Sequence, residues 1–371
     1  MNILILSCKT GQGHHSVAQA IAETLDNRGH RWQLIDALNF ISERTAKIMS
    51  KGHSFIYCHC PKVFQAGYEA AEKHPKSMAE GSAAYWLFAR GSEDLYEYCK
   101  EQNFDAVVCT HVFASLMLTD MKRTYGYEIK SYFVATDYTA YPGVEASEVD
   151  ACFIPGEDLA EDYEGKNTVV TGIPVHQRFF QTMDGAQAKG KLGVDLQKKH
   201  ILIMCGSMGC GPMEEIAQRI AAGMKETVTL SIVCGTNRKL YQRLTEHYRE
   251  NPNVLVHGFV QNVHELMAAA DICVTKPGGI STTEAMSVGI PMVLVDTVAG
   301  CENHNMRYFQ QMGGAVFAKD PADIASYCLG LIKNEEKCKE MSEILLKNRK
   351  NGAVAICDYL QSHIRELSYS K

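Results

Sequence analysis

The chain has 371 residues, 46% of them apolar, and a formal net charge of -6. The length is too great for one ordinary core and suits two domains of usual size. An acidic balance without a basic nucleic-acid signature gives no reason to expect DNA or RNA as a partner, and 14 cysteines scattered without C-x-x-C spacing read as reduced thiols of a cytosolic protein.

In chain order, "MNILILSC" has no positively charged run before it and is a first strand, not a signal peptide. Behind it, "KTGQGHHSVAQAI" (residues 9–21) brings Gly11, Gly13 and His14 to the start of a helix. This is either a tight turn with an idle histidine or a place where bare backbone approaches a bound group. "WQLID", "DAVVCTH", "SYFVATD", "ACFIP" and "TVVTG" follow as apolar runs spaced by amphipathic stretches, the pattern of a parallel sheet flanked by helices.

Residues 40–100 break the alternation. They read as helices rich in Tyr and Phe, with Trp86 among them, and serve either as core on the sheet or as a dock for an apolar substrate or membrane interface. Residues 41–90 carry seven Lys/Arg against four Asp/Glu, whereas residues 91–170 carry five against sixteen. The locally basic stretch suits an anionic membrane surface, and equally a solvated face. His53, Cys58, His59 and Cys60 fall close together there, but without a second spaced pair they are not a zinc pattern.

The polar stretch "QTMDGAQAKGKLGVDLQKK" (181–199) reads as a linker. Its G-x-x-x-x-G-K run, Gly185 to Lys191, is no phosphate loop: Leu192 stands where Ser or Thr is needed, and the run precedes a strand. The strand pattern then restarts with "HILIMCGS", "LSIVCG", "VLVHGF", "DICVTK", "PMVLVD" and "GAVFA". Two doubly wound units in tandem are expected, over residues 1–180 and 198–335. Residues 336–371 form charged helices expected to fold back over the first. No apolar run reaches the ~18 residues of a spanning helix.

In open parallel sheets ligands bind at the carboxyl ends of strands. The second half places "MCGSMGCGPMEEI" at such an end, with Gly206, Gly209 and Gly211 before Pro212 at the first helical turn. "VTKPGGISTTEAMSVGIP" is richer. Lys276, Pro277, Gly278 and Gly279 follow a strand, and Ser281, Thr282, Thr283 and Glu284 then enter a helix. Bare glycine backbone and hydroxyls at a helix start make a phosphate cradle. Glu284 is placed to accept two hydrogen bonds from a ribose diol, or else to cap the helix.

"GQGHHSVAQAI", "TDYTAYP", "VVTGIPV", "GSMGCGP", "VCGTNRKLYQRL", "VHGFVQNVHELMAAADICVTKPGGISTTEA" and "GCENHN" together resemble the monogalactosyldiacylglycerol synthase and processive diacylglycerol glucosyltransferase family, along nearly the whole chain. These are GT-B enzymes, related to the transferase that makes lipid II. The resemblance implies an α/β fold of two Rossmann-like domains facing a central cleft. It also implies inverting transfer of a hexose from a UDP-sugar to diacylglycerol, on the inner face of a cell membrane, by a cytoplasmic, peripheral enzyme with no cofactor and no metal.

By the same resemblance, Phe259 and Val260 flank the uracil with Gly235 and Asn237. Met208, Gly209 and Lys276 lie along the donor, Ser207 and the main chain at Gly278, Gly279, Ile280 and Ser281 hold the diphosphate, and Glu284 takes the ribose. Glu302 and Asn305 of "GCENHN" contact the sugar hydroxyls, with Cys301 where the family has Gln. Gly11 and Gly13 form the acceptor-side loop, and His14 is the general base, with Asp137 orienting it or sharing the role. The chain departs from plant members at Lys9, Tyr141 and Val144, and at His176, where the family's Arg has its nearest counterpart in Arg178. Two other readings are a nucleotide-sugar epimerase of the same fold and a non-catalytic donor-binding subunit.

Overall fold

The computed structural model describes residues 1–9, 12–42, 44, 46–48, 52, 60–181, 183–295 and 300–368. It divides into two compact units, one of residues 1–177, 298–301 and 350–371, the other of residues 178–297 and 302–349.

The first unit is built on β1 (Asn2–Ser7), β2 (Arg31–Asp36), β3 (Ala106–Cys109), β4 (Lys130–Val134), β5 (Ala151–Ile154) and β6 (Thr168–Val170), paired in the order β2-β1-β3-β4-β5-β6. Every pairing is parallel. All six residues of β1 are buried, as expected of a strand covered on both faces. Helices α1 (Gln12–Asn27), α2 (Pro61–Lys73), α3 (Ala83–Ala89), α4 (Ser92–Gln102) and α5 (Val112–Tyr125) belong to this unit. The first of these sinks Val17, Ala18, Ile21 and Leu25, spaced as one face of a 3.6-residue period.

The second unit begins with α6 (Gly185–Leu192) and continues β7 (Lys199–Met204), α7 (Met213–Gly223), β8 (Val228–Val233), α8 (Arg238–His247), β9 (Val254–His257), α9 (Val263–Ala269), β10 (Ile272–Thr275) and α10 (Gly279–Val288). It closes with β11 (Met292–Leu294), α11 (Cys301–Met312), β12 (Ala315–Phe317), α12 (Pro321–Leu331) and α13 (Glu335–Asn348). Its sheet runs β12-β11-β10-β7-β8-β9, again all parallel. Among the described residues, all twelve strands fall on the apolar runs read from the sequence. Cys109, Cys205, Cys234 and Cys273 are buried free thiols, as their strand positions imply.

The stretch expected as a linker instead holds an eight-residue helix and lies in the second unit. The Asp184 carboxylate accepts from the Ala186 amide at 3.3 Å to start α6, Gly193 (φ 67) ends it, and Ala188 is fully buried. The tail is also divided. In the second unit α13 buries Met341 and Leu345, whereas α14 (Gly352–Ser368) lies in the first and ties down through Arg28 to Asp358 at 2.8 Å.

Strand order fixes where each unit can hold a ligand. In the first, the chain moves from β1 to β2 on one side and to β3 on the other; in the second, the reversal lies between β7 and β10. Loops leaving neighbouring strands at such a switch point diverge and open a crevice at the sheet's carboxyl edge.

Candidate active site

At the switch point of the first unit, His14 enters from the first turn of α1, Thr110 and His111 follow β3, and Thr136 and Asp137 follow β4. The His14 Nδ1 lies 2.7 Å from the Thr110 carbonyl oxygen, and the Thr110 hydroxyl donates back to the His14 carbonyl at 3.1 Å. A carbonyl only accepts, so Nδ1 carries the ring proton and Nε2 keeps its lone pair. Loss of surrounding water, only partly opposed by the Thr110 carbonyl, pushes the His14 pKa down to about 4. The ring is therefore a neutral proton acceptor at ordinary pH.

His111 meets it edge-on, ring centroids 4.3 Å apart. It caps α5 by accepting the Phe113 amide on its own Nδ1 at 3.1 Å, which puts the proton of a neutral His111 ring on Nε2. The two histidines thus hold opposite tautomers. With Phe133, Thr136, Asp137, Tyr141 and Tyr163 they line a small pocket. Beyond it, Tyr141 packs edge-on against Tyr68 of α2, whose ring lies over Gly300.

At the second unit's switch point two glycine loops interlock. Gly209 (φ 56) and Gly235 (φ 57) are left-handed, and a Cβ on either would collide with the carbonyl of Cys234 or Ser207 respectively. The Thr236 amide donates to the Ser207 carbonyl at 2.9 Å, and the Asn237 amide group donates to the Gly209 carbonyl at 3.1 Å while its oxygen caps α8 through Leu240. Lys276 passes beneath Gly206 and pairs with the buried Glu302, Nζ to Oε1 3.0 Å.

The bend that follows leads into α10, which Gly278 caps without a side chain. Its first intrahelical bond is Thr282 N–H to the Gly278 carbonyl at 3.1 Å, so the amides of Gly279, Ile280 and Ser281 head the helix as donors with no acceptor inside it. Glu284, one turn further on, is half-buried and makes no hydrogen bond or ion pair with a described residue. Desolvation, only partly opposed by Arg178, pushes its pKa up to about 8. Phe259, after β9, is 63% exposed, with Val260 half-buried beside it.

The sequence-derived residues therefore separate into two groups. The main chain at 278–281, with Ser207, Met208, Lys276, Glu284 and Phe259, gathers around the carboxyl edge of the second sheet. Gly235 and Asn237 support the glycine loop, both ends of the Asn237 amide being used within the protein. Asn305 is fully buried and donates to the Pro277 carbonyl at 2.9 Å, and the Thr282 and Thr283 hydroxyls turn back to helix carbonyls. Among the described residues, the Thr136 hydroxyl links Asp137 to His14. Gly11 lies outside the described residues, as do His53, Cys58 and His59. The sequence reading missed Thr110, His111 and Thr136 as site residues. Their signal was the placement of "CTH" and "ATD" at the ends of adjacent strands.

Residues 14–175 match the family model described as monogalactosyldiacylglycerol (MGDG) synthase, and residues 214–347 match that of glycosyl transferases group 1. Processive diacylglycerol beta-glucosyltransferases of Bacillus licheniformis and Bacillus cytotoxicus are each 26% identical to this chain, over 92% of it and 89% and 88% of their own lengths. Among solved structures, MurG of Acinetobacter baumannii superposes with a TM-score of 0.65 at 15% identity, covering 97% of this chain and 99% of its own. The spinosyn rhamnosyltransferase SpnG with thymidine diphosphate gives 0.63 at 11%, covering 97% and 100%. A putative UDP-N-acetylglucosamine 2-epimerase from Listeria monocytogenes gives 0.63 at 14%, covering 98% and 97%. The fold is GT-B. It is common to transferases and epimerases, so what favours transfer over epimerisation is the sequence relatives.

Proposed function

We propose that the chain, which the monogalactosyldiacylglycerol synthase model matches over residues 14–175, is a GT-B glycosyltransferase that moves a hexose from a UDP-sugar to the free hydroxyl of diacylglycerol with inversion at the anomeric carbon. The observation that carries this reading is the His14 ring, neutral at ordinary pH with Nδ1 committed to Thr110 and a lone pair on Nε2. In the transfer the acceptor hydroxyl gives its proton to His14 Nε2 as its oxygen bonds the anomeric carbon. The bond from that carbon to the β-phosphate oxygen breaks with its electron pair on UDP. The amides at the head of α10 supply fixed positive dipoles for the diphosphate, and Glu284 supplies acceptors for the ribose diol.

An anionic membrane surface is the proposed source of the acceptor. Four of the eleven exposed large apolar side chains among the described residues, Ile48, Val63, Trp86 and Leu87, lie in the segment where Lys and Arg outnumber Asp and Glu. Trp86 and Leu87 project from α3 while Tyr85 and Phe88 anchor it in the core. Apolar residues beside basic ones are the composition that seats in a headgroup layer. No described helix is long and apolar enough to cross a membrane.

The test is incubation with labelled UDP-glucose, UDP-galactose or UDP-N-acetylglucosamine, with and without diacylglycerol in liposomes. Lipid-extractable label with one donor supports the proposal. Inverted free nucleotide sugar would favour an epimerase, and UDP binding without turnover would leave only a donor-binding protein.

A further inference from the structure

We propose that Thr136 is a positioning residue for the transfer step, its hydroxyl coupling the His14 ring to the Asp137 carboxylate. The inference deepens the proposed function and rests on it for its kinetic arm. Thr136 Oγ1 lies 3.2 Å from His14 Nδ1 and 3.3 Å from Asp137 Oδ2. The proton on Nδ1 is fixed by the Thr110 carbonyl 2.7 Å away, so Nδ1 has no lone pair to offer the threonine. A hydroxyl has one proton to give, and of its two neighbours only the carboxylate can accept it. The direction follows: Thr136 donates to Asp137 and presents its own lone pair to the Nδ1 proton, which it shares with Thr110.

This matters once His14 has taken the acceptor's proton. The ring is then a cation in surroundings that resist charge. The titratable groups around it are His111 at the head of α5, Asp137 after β4, Tyr141 and Tyr163 on the pocket wall, and His15 next along α1. Asp137 is the carboxylate among them, and it does not touch the ring. A hydroxyl oriented by that carboxylate gives the cation a second acceptor and carries the effect of the negative charge towards it. The β-branch of threonine holds the hydroxyl in place, because its χ1 has few open settings.

The test compares Thr136→Val, which keeps the shape and removes the hydroxyl, with Thr136→Ser, which keeps the hydroxyl. With the membrane-presented acceptor, kcat of T136V is expected to fall about 10-fold while KM for the UDP-sugar stays within about twofold; T136S recovers to within about threefold. Asp137→Asn is expected to cost less in the T136V background than in the wild type, because the carboxylate acts through the hydroxyl. Separately from activity, nitrogen NMR of the imidazoles reads the protonation of His14 on acidification, expected to move down by about half a pH unit in T136V.

Wild-type turnover in T136V, strict additivity with D137N, or an unmoved His14 titration overturns the proposal, as does failure of T136S to recover activity. If valine disturbs the fold, judged by thermal melting, Thr136→Ala removes the same hydroxyl without an added methyl and is read in the same way. Absence of any transfer by the wild type would instead remove the functional reading and leave the NMR comparison to decide the role of Thr136.

Discussion

Glu284 sets what the donor site needs against what the fold prefers. Its carboxyl sits half-buried with no described partner, and its pKa is raised from 4.5 to about 8 by desolvation. Such a group holds its proton more tightly folded than unfolded. Its contribution to stability is therefore complete below the unfolded value of 4.5 and is lost as the pH rises to the folded value of about 8. At about 1.4 kcal/mol per pH unit this rise sets a ceiling of about 5 kcal/mol, and solvent contact along the side chain reduces it to about 1–2 kcal/mol.

Glu284→Gln keeps the shape and removes the ionisation. The variant is expected to melt within error of the wild type near pH 4.5, and to be more stable by about 1–2 kcal/mol near pH 8.5, about 3–6 °C for a unit of this size. At pH 8.5, where the wild-type carboxyl is ionised, it also lacks the charge-assisted bonds a carboxylate makes to two hydroxyls, so UDP should bind about 10–100-fold more weakly by calorimetry at that pH. A stabilising substitution that damages binding marks a residue held against the preference of the fold. Parallel pH profiles of melting for the two proteins would refute the desolvation argument, and unchanged UDP affinity would refute the ribose role.

His14→Ala should lower kcat by about 100-fold or more with UDP affinity nearly intact, measured by initial rates and titration calorimetry. Because burial holds its pKa near 4, below the usual 6.5, His14 stays unprotonated on mild acidification, and kcat/KM should show no loss of this base between pH 7 and about 5.5. Gly209→Ala and Gly235→Ala each force a Cβ against a facing carbonyl at a left-handed position, so each should lower the second unit's stability by about 2–4 kcal/mol in urea unfolding. Trp86→Glu should weaken co-sedimentation with anionic vesicles by about 10-fold or more while leaving UDP binding unchanged, since the side chain is exposed on α3 in the first unit.

The strands were legible because a buried parallel strand must be apolar at nearly every position, which leaves a continuous run that no turn can mimic. The glycine loops were legible for a related reason: only glycine tolerates the backbone crossing at Gly209 and Gly235. What could not be read was which atoms each polar side chain spends on the protein itself. Asn237 and Asn305 look like ligand-facing amides in sequence, yet one is used up between two loops and the other on Pro277. The expected linker misled because polar composition hid one small buried face, Ala188 on α6.

The acceptor-side site shows a deeper limit, and its reason is topological. The group that fixes the His14 tautomer is a main-chain carbonyl 96 residues away, and a carbonyl carries no residue signature. The proposed relay through Thr136 lies 122 residues from His14. What joins the three positions is the strand order β2-β1-β3-β4, which sets the ends of β1, β3 and β4 side by side. Sequence patterns identify strand ends as places where loops are free to carry chemistry. Which ends become neighbours depends on the crossover after β2, and helices α2, α3 and α4 fall in that connection. The same insertion that broke the alternation of the sequence therefore separates β2 from β3 in the chain while leaving β3 beside β1, and so brings Thr110 to His14.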